Sequence, residues 1–147
     1  MLMSKEFSLK EKEKIVKDLL LPKLTKCSIF TFEGPLGAGK TTLIKDFLKL
    51  CGVKTIVTSP TFAYMNKYRN KEGEIFYHFD LYRLNNFQEF IDTGFDEYLY
   101  QDGVVNLIEW PGVIDGLLKD KTLSFKVCKV KLMLSLEKND IRKIILE

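Results

Sequence analysis

Gly34-Pro35-Leu36-Gly37-Ala38-Gly39-Lys40-Thr41-Thr42 is the stretch on which the reading of this chain turns. Gly34, Gly39, Lys40 and Thr41 stand at the P-loop spacing. Before it, Cys27-Ser28-Ile29-Phe30-Thr31-Phe32 reads as a buried strand. After it, Thr41 to Leu50 has helical spacing, with Leu43, Phe47 and Leu50 on one face. A strand, a glycine loop and a helix form the arrangement that phosphate cradling needs. The loop amides, from Gly37, Ala38 and Gly39 through Lys40, Thr41 and Thr42, can converge on a polyphosphate, and the helix N-terminus adds a favourable dipole. Lys40 can reach the β- and γ-phosphates, and the Thr41 hydroxyl can ligate a magnesium ion. A strand-to-helix turn that binds nothing would give the Lys-Thr pair no structural reason to sit there.

The rest of the composition bounds the answer. A chain of 147 residues suits one domain, 1–147, around one core. Hydrophobic residues make up 46%, which predicts a globular protein. A net charge of +3, from 23 basic and 20 acidic residues, is too balanced to announce nucleic-acid binding. Cys27, Cys51 and Cys128 have no metal-like spacing, and an odd count without a secretory signal fits a reducing cytoplasm. The apolar run Ile15 to Leu24 is too short and too charged to span a membrane.

Along the chain, Met1 to Phe7 reads as a short strand or a loose end. Ser8 and Glu11 have capping-box spacing for a helix that Pro22 ends. Phe62 to Tyr68 and Glu74 to Asp80, around Asn70-Lys71-Glu72-Gly73, predict a hairpin. An antiparallel hairpin after a P-loop helix argues for a mixed sheet. Asn85 or Asn86 caps a short helix through Asp92, closed by Gly94, and Phe95 to Tyr100 is a further helical piece. Val104 to Ile108 is apolar enough for a central strand. Val113 to Leu118 reads as helix. Leu123 to Val130, Lys131 to Leu136 and Ile141 to Leu146 read as three closing strands.

A P-loop nucleotidase needs an acid at a neighbouring strand end to hold magnesium. Glu109 follows the more apolar strand and is assigned to the metal; Asp80 is then free to orient or deprotonate the attacking water. The plain alternative for either acid is a turn or cap residue. His78, the only histidine, has no ligand-spaced companions and reads as a packed residue of a half-buried strand. Arg83 reads as a phosphate or partner contact, or as a surface ion pair; Trp110 reads as core or interface. Thr61 lies where a switch loop would sense a γ-phosphate or magnesium. Asn66-Lys67-Tyr68-Arg69 lacks the Asp of a guanine-reading motif, which favours ATP over GTP.

Taken in order, the loop, Ser59-Pro60-Thr61-Phe62, His78-Phe79-Asp80-Leu81-Tyr82-Arg83-Leu84 and Ile108-Glu109-Trp110-Pro111 resemble the TsaE (YjeE) family, the bacterial ATPase of tRNA threonylcarbamoyladenosine biosynthesis. The resemblance runs from about Ser8 to Arg142. It implies an α/β, P-loop NTPase-like fold, with a mixed sheet of parallel core and antiparallel strands flanked by helices. It implies ATP and Mg2+ as cofactors, with Thr41 and Glu109 as metal ligands, Lys40, Asp80 and Glu109 serving catalysis, and Thr61 in a switch-like loop. Asn139-Asp140-Ile141-Arg142 approximates a Gly-x-Arg-like element of the family's final hairpin, which would set Arg142 on the adenine side. It further implies TsaB and TsaD partners, with tRNA reached through the complex, and hydrolysis that supports turnover rather than forming the new bond. A small-molecule kinase would add an arginine-rich lid, and no arginine lies between Arg83 and Arg142. A nucleotide-gated binding module would leave Asp80 dispensable.

Overall fold

The computed structural model describes residues 2–60 and 62–147. Its centre is a seven-stranded mixed sheet in the order β1-β7-β6-β2-β5-β4-β3. The strands are β1 (Met3–Ser8), β2 (Ile29–Glu33), β3 (Met65–Arg69), β4 (Ile75–Asp80), β5 (Val104–Glu109), β6 (Val127–Leu134) and β7 (Ile141–Leu146). The β6-β2, β2-β5 and β5-β4 pairs are parallel. The β3-β4, β6-β7 and β1-β7 pairs are antiparallel. The sheet is therefore mixed, as the hairpin predicted.

Alternation along β2 explains the layering. Phe30 and Phe32 point to one face and Ile29 to the other, each fully buried. The first face is covered by α2 (Lys40–Leu50) and by a helical run from Leu9 to Thr25, with Ile15, Val16, Leu20, Leu43, Ile44 and Phe47 in the core. The second is covered by α3 (Phe87–Asp92), α4 (Asp96–Tyr100) and α5 (Asp115–Leu118), with Phe90, Leu99 and Leu118 inside. Apolar residues on both faces are what a central parallel strand requires.

The local signals hold in part. The Glu11 carboxylate accepts from the Ser8 N–H at 2.8 Å and from its hydroxyl at 3.1 Å, so the capping box forms. Asn86, not Asn85, caps α3 by accepting from the Glu89 N–H. Pro22 does not end the first helical run. The run passes through α1 (Lys12–Ile15) and a wider turn, Val16–Leu20, into a 3-10 turn, Leu21–Thr25. Pro22 sits at the start of that turn, where a missing N–H costs nothing. The span Leu123 to Leu136 holds one strand, β6 (Val127–Leu134), not two. Ser124–Lys126 forms a 3-10 turn, and β6 then runs past Lys131, whose ammonium pairs with Glu147 at 3.5 Å. Period-2 alternation carries the strand through Lys131, with Cys128, Val130 and Leu132 turned into the core. The strand predicted from Phe62 begins only at Met65.

Phe47 anchors α2 to β2, its ring centroid 5.1 Å from that of Phe30. Phe47→Ala should destabilise the protein by about 3–5 kcal/mol. Chemical denaturation should show the midpoint falling with the slope unchanged.

Candidate nucleotide site

Six residues join β2 to α2, and their conformation is set by glycine. Gly34, Gly37 and Gly39 have φ of +152°, +76° and +100°. A Cβ on Gly34 would stand 2.6 Å from the Leu132 carbonyl oxygen, so only glycine lets the loop pass β6. At Gly37 and Gly39 a Cβ would meet nothing within 4 Å; there the left-handed backbone, not crowding, requires glycine. The Ala38 N–H closes the turn on the Pro35 carbonyl at 3.1 Å. Gly39 gives α2 no side-chain cap, and the first intrahelical bond runs from Leu43 N to Gly39 O. The amides of the first turn are thus not capped by protein side chains, which is the condition of a helix N-terminus that takes an anion.

The sheet register brings two acids to this loop. Glu109 at the end of β5 pairs with Phe32 on one side and with Asp80 on the other. Glu109 is 2% exposed. Its Oε1 accepts from the Thr41 hydroxyl at 2.6 Å and lies 3.3 Å from His78 Nε2. Asp80 is half-buried, and its Oδ1 accepts from the Tyr82 N–H at 3.1 Å. Burial pushes the Asp80 carboxyl above its usual range, and the Glu109 charge adds to this; the Tyr82 N–H, His78 and Lys40 pull the other way.

Lys40 folds back on its own loop. Its ammonium donates to the Gly34 carbonyl at 2.6 Å and to the Pro35 carbonyl at 2.9 Å, and it lies 4.1 Å from the centre of the Trp110 ring. Burial lowers its pKa, while Glu109 and Asp80 oppose the shift. Trp110 follows Glu109 in a left-handed conformation, φ +56° and ψ +58°, which a bulky residue adopts only where the surroundings impose it. Its ring packs on Tyr82 at 4.8 Å. A cavity of about 370 Å³ opens between these groups, lined by Leu36, Gly37, Gly39, Lys40, Thr41, Thr42, Ser59, Asp80, Tyr82, Glu109 and Trp110.

The donor set suits a hard cation. Thr41 and Glu109 offer oxygens in contact, with the Asp80 carboxyl beside them. Among the described residues, no group of three His, Cys, Asp or Glu side chains forms a self-sufficient metal cage. A magnesium ion held by one or two protein oxygens and by substrate phosphates needs no such cage.

Ala38 is buried behind the loop and does not line the cavity. Thr61 lies outside the described residues. Arg142 on β7 is 9% exposed; its Nη1 donates to the Asn139 carbonyl at 2.5 Å and the Ile141 carbonyl at 3.1 Å, and its Nη2 contacts the Gly37 carbonyl at 3.5 Å. It therefore touches the outer side of the loop and does not line the cavity. Arg83 is exposed, its guanidinium 5.0 Å from the Phe62 ring centre. His78 is packed as expected, but its strand is buried rather than half-buried, with Phe76, Tyr77, His78 and Phe79 all in the interior. Asn66 lies on β3 and donates to the Thr58 carbonyl at 3.2 Å. Sequence reasoning missed Tyr82 as the packing partner of Trp110, although both sit in the quoted motifs. The cysteines are free, and burial pushes the Cys51 and Cys128 thiols up to about 11. No helix among the described residues is long and apolar enough to cross a membrane.

Comparison with known proteins gives a consistent result. The family model described as "Threonylcarbamoyl adenosine biosynthesis protein TsaE" matches residues 7–138. A Bacillus subtilis protein described as tRNA threonylcarbamoyladenosine biosynthesis protein TsaE is 39% identical over 99 residues, 67% of this chain and 60% of that protein. Its Haemophilus influenzae counterpart is 38% identical over 116 residues, 78% of this chain and 72% of that protein. A Rickettsia felis counterpart is 39% identical over 109 residues, 74% of this chain and 62% of that protein. The chain thus spans about three fifths of the length of the Bacillus and Rickettsia relatives. The crystal structure of Bacillus subtilis YdiB superposes with a TM-score of 0.67 at 28% identity, covering 99% of this chain and 86% of that one.

Two predictions follow from the electrostatics. The folded state retains the Asp80 proton to a higher pH than the unfolded chain, whose ordinary value is 3.8. The contribution of Asp80 to stability is therefore lost as pH rises through that window. Asp80→Asn should raise the thermal midpoint at neutral pH, and the gain should vanish on acidification towards the ordinary aspartate range. Trp110, the only tryptophan, should change its fluorescence when a polyphosphate draws Lys40 off its ring. Inorganic triphosphate titration should show the change in the wild type and not in Lys40→Ala.

Proposed function

The chain belongs to the TsaE family, and from that premise we propose that it is a single-domain, magnesium-dependent P-loop ATPase in the synthesis of threonylcarbamoyladenosine at position 37 of tRNAs that read ANN codons. In this reading it works in the cytoplasm with TsaB- and TsaD-like partners that stimulate it, and meets tRNA through their complex. The observation that carries the reading is the 2.6 Å contact between the Thr41 hydroxyl and the Glu109 carboxylate, which joins the loop to a strand-end acid.

The loop glycines and the first turn of α2 bind the polyphosphate through backbone amides. Lys40 leaves the Gly34 and Pro35 carbonyls for the phosphate oxygens, exchanging two neutral acceptors for charged ones. Two carboxylates against one lysine leave the pocket hostile to phosphate unless a further cation joins them. Thr41 and Glu109 would hold magnesium, which when bound neutralises charge on the phosphates. Asp80 is raised towards working pH and stands beside Glu109, where it can orient the attacking water and take its proton. Tyr82 and Trp110 pack on each other and form one wall of the cavity.

Asp80→Asn should keep ATP affinity and lower the rate of hydrolysis roughly 10²–10⁴-fold, measured as phosphate release in the reconstituted complex. Lys40→Ala should lose nucleotide binding. The pathway assignment is tested by mass spectrometry of tRNA nucleosides after depletion of this protein: threonylcarbamoyladenosine should fall. Unchanged levels would overturn it.

A further inference from the structure

His78 is fully buried on β4, under α2 and two residues before Asp80. The β4–β5 register sets it opposite Leu107 and diagonal to Glu109. Its Nε2 reaches Glu109 Oε1 at 3.3 Å, and its Nδ1 is buried with no partner among the described residues. A carboxylate accepts, so Nε2 carries the hydrogen of this contact, and Nδ1 is left without a partner. Packing alone gives no reason for this choice, because a leucine would fill the same space without burying an unpaired nitrogen. The imidazole must be explained by the contact it does make.

That contact falls on the same oxygen that Thr41 uses. Thr41 cannot be the only tether of Glu109, because its own oxygen is a candidate ligand. His78 lies below the cavity, does not line it, and is free of that second duty. We propose that His78 is a positioning residue, which fixes the rotation of the Glu109 carboxylate so that Thr41 and Glu109 present a preset pair of oxygens to the cation of a magnesium–nucleotide. The inference rests on the nucleotide-site reading above and extends it inward, to the group that orients the ligand.

The test separates orientation from packing. His78→Leu keeps the volume and removes the donor; His78→Gln keeps an amide N–H near the Nε2 position. Binding of a fluorescent non-hydrolysable ATP analogue is titrated with Mg2+ and repeated in EDTA. His78→Leu should raise the half-saturating Mg2+ concentration about tenfold and leave the affinity in EDTA unchanged. His78→Gln should stay within about threefold of the wild type, below the loss typical of a removed orienting group. If His78→Leu does not fold, His78→Asn, whose amide is too short to reach Glu109, takes its place with the same expectation. Magnesium dependence equal to wild type, an equal loss in EDTA, or a glutamine variant as impaired as leucine would each overturn the proposal. Failure of the wild type to bind in a magnesium-dependent way would instead overturn the nucleotide-site reading itself.

Discussion

The hydrogen bond from the Thr41 hydroxyl to the Glu109 carboxylate, 2.6 Å long, is the join on which the site depends. One partner opens α2 and the other closes β5. They meet because β2 and β5 run parallel and end at the same level, with Phe32 beside Glu109. A slip of one residue in that pairing would turn Glu109 to the opposite face of the sheet and leave Thr41 without it. The dense apolar packing of β2 against both helical layers makes such a slip costly. The core therefore protects the chemistry by fixing register.

The charges around that bond are arranged in tension. Glu109 is almost wholly buried, Asp80 is half-buried beside it, and Lys40 rests on carbonyls and on the Trp110 ring. A left-handed Trp110 is needed to carry the chain from the strand end into the turn at Pro111–Ile114 while keeping the ring over the lysine. Buried charge and the backbone strain of a left-handed bulky residue thus meet at one point of the fold. Such strain belongs at a place where binding relieves it.

Much of this was legible in the sequence, and for identifiable reasons. The loop, the strand before it and the helix after it carry local patterns that need no tertiary knowledge. The apolar run Val104 to Ile108 marked a central strand, and Glu109 came with it. The hairpin around Asn70 was readable from its polar turn. What escaped depended on distant partners. Pro22 looked like a stop because the 3-10 turn that accepts it is not written in periodicity. The runs on either side of Val130 and Lys131 read as two strands because the pairing that joins them, to β2 on one side and β7 on the other, is set by residues far along the chain. His78 looked like packing because its reason, the Glu109 oxygen, lies 31 positions away.

The pairing of β1 with β7 has a consequence for how the molecule assembles. Met3 pairs with Leu146 and Ser8 with Ile141, so one edge of the sheet closes only when strands near opposite ends of the sequence meet. Contacts of such separation require a large loop to close first and slow the folding of a chain that depends on them. The wall behind the P-loop is equally late in sequence, since Gly34 passes against Leu132 of β6. A chain emerging from the ribosome holds its glycine loop, its lysine and both acids well before it holds the strand against which that loop must fit. The seat of the glycine loop is thus tied to the placing of β6 and its hairpin partner β7.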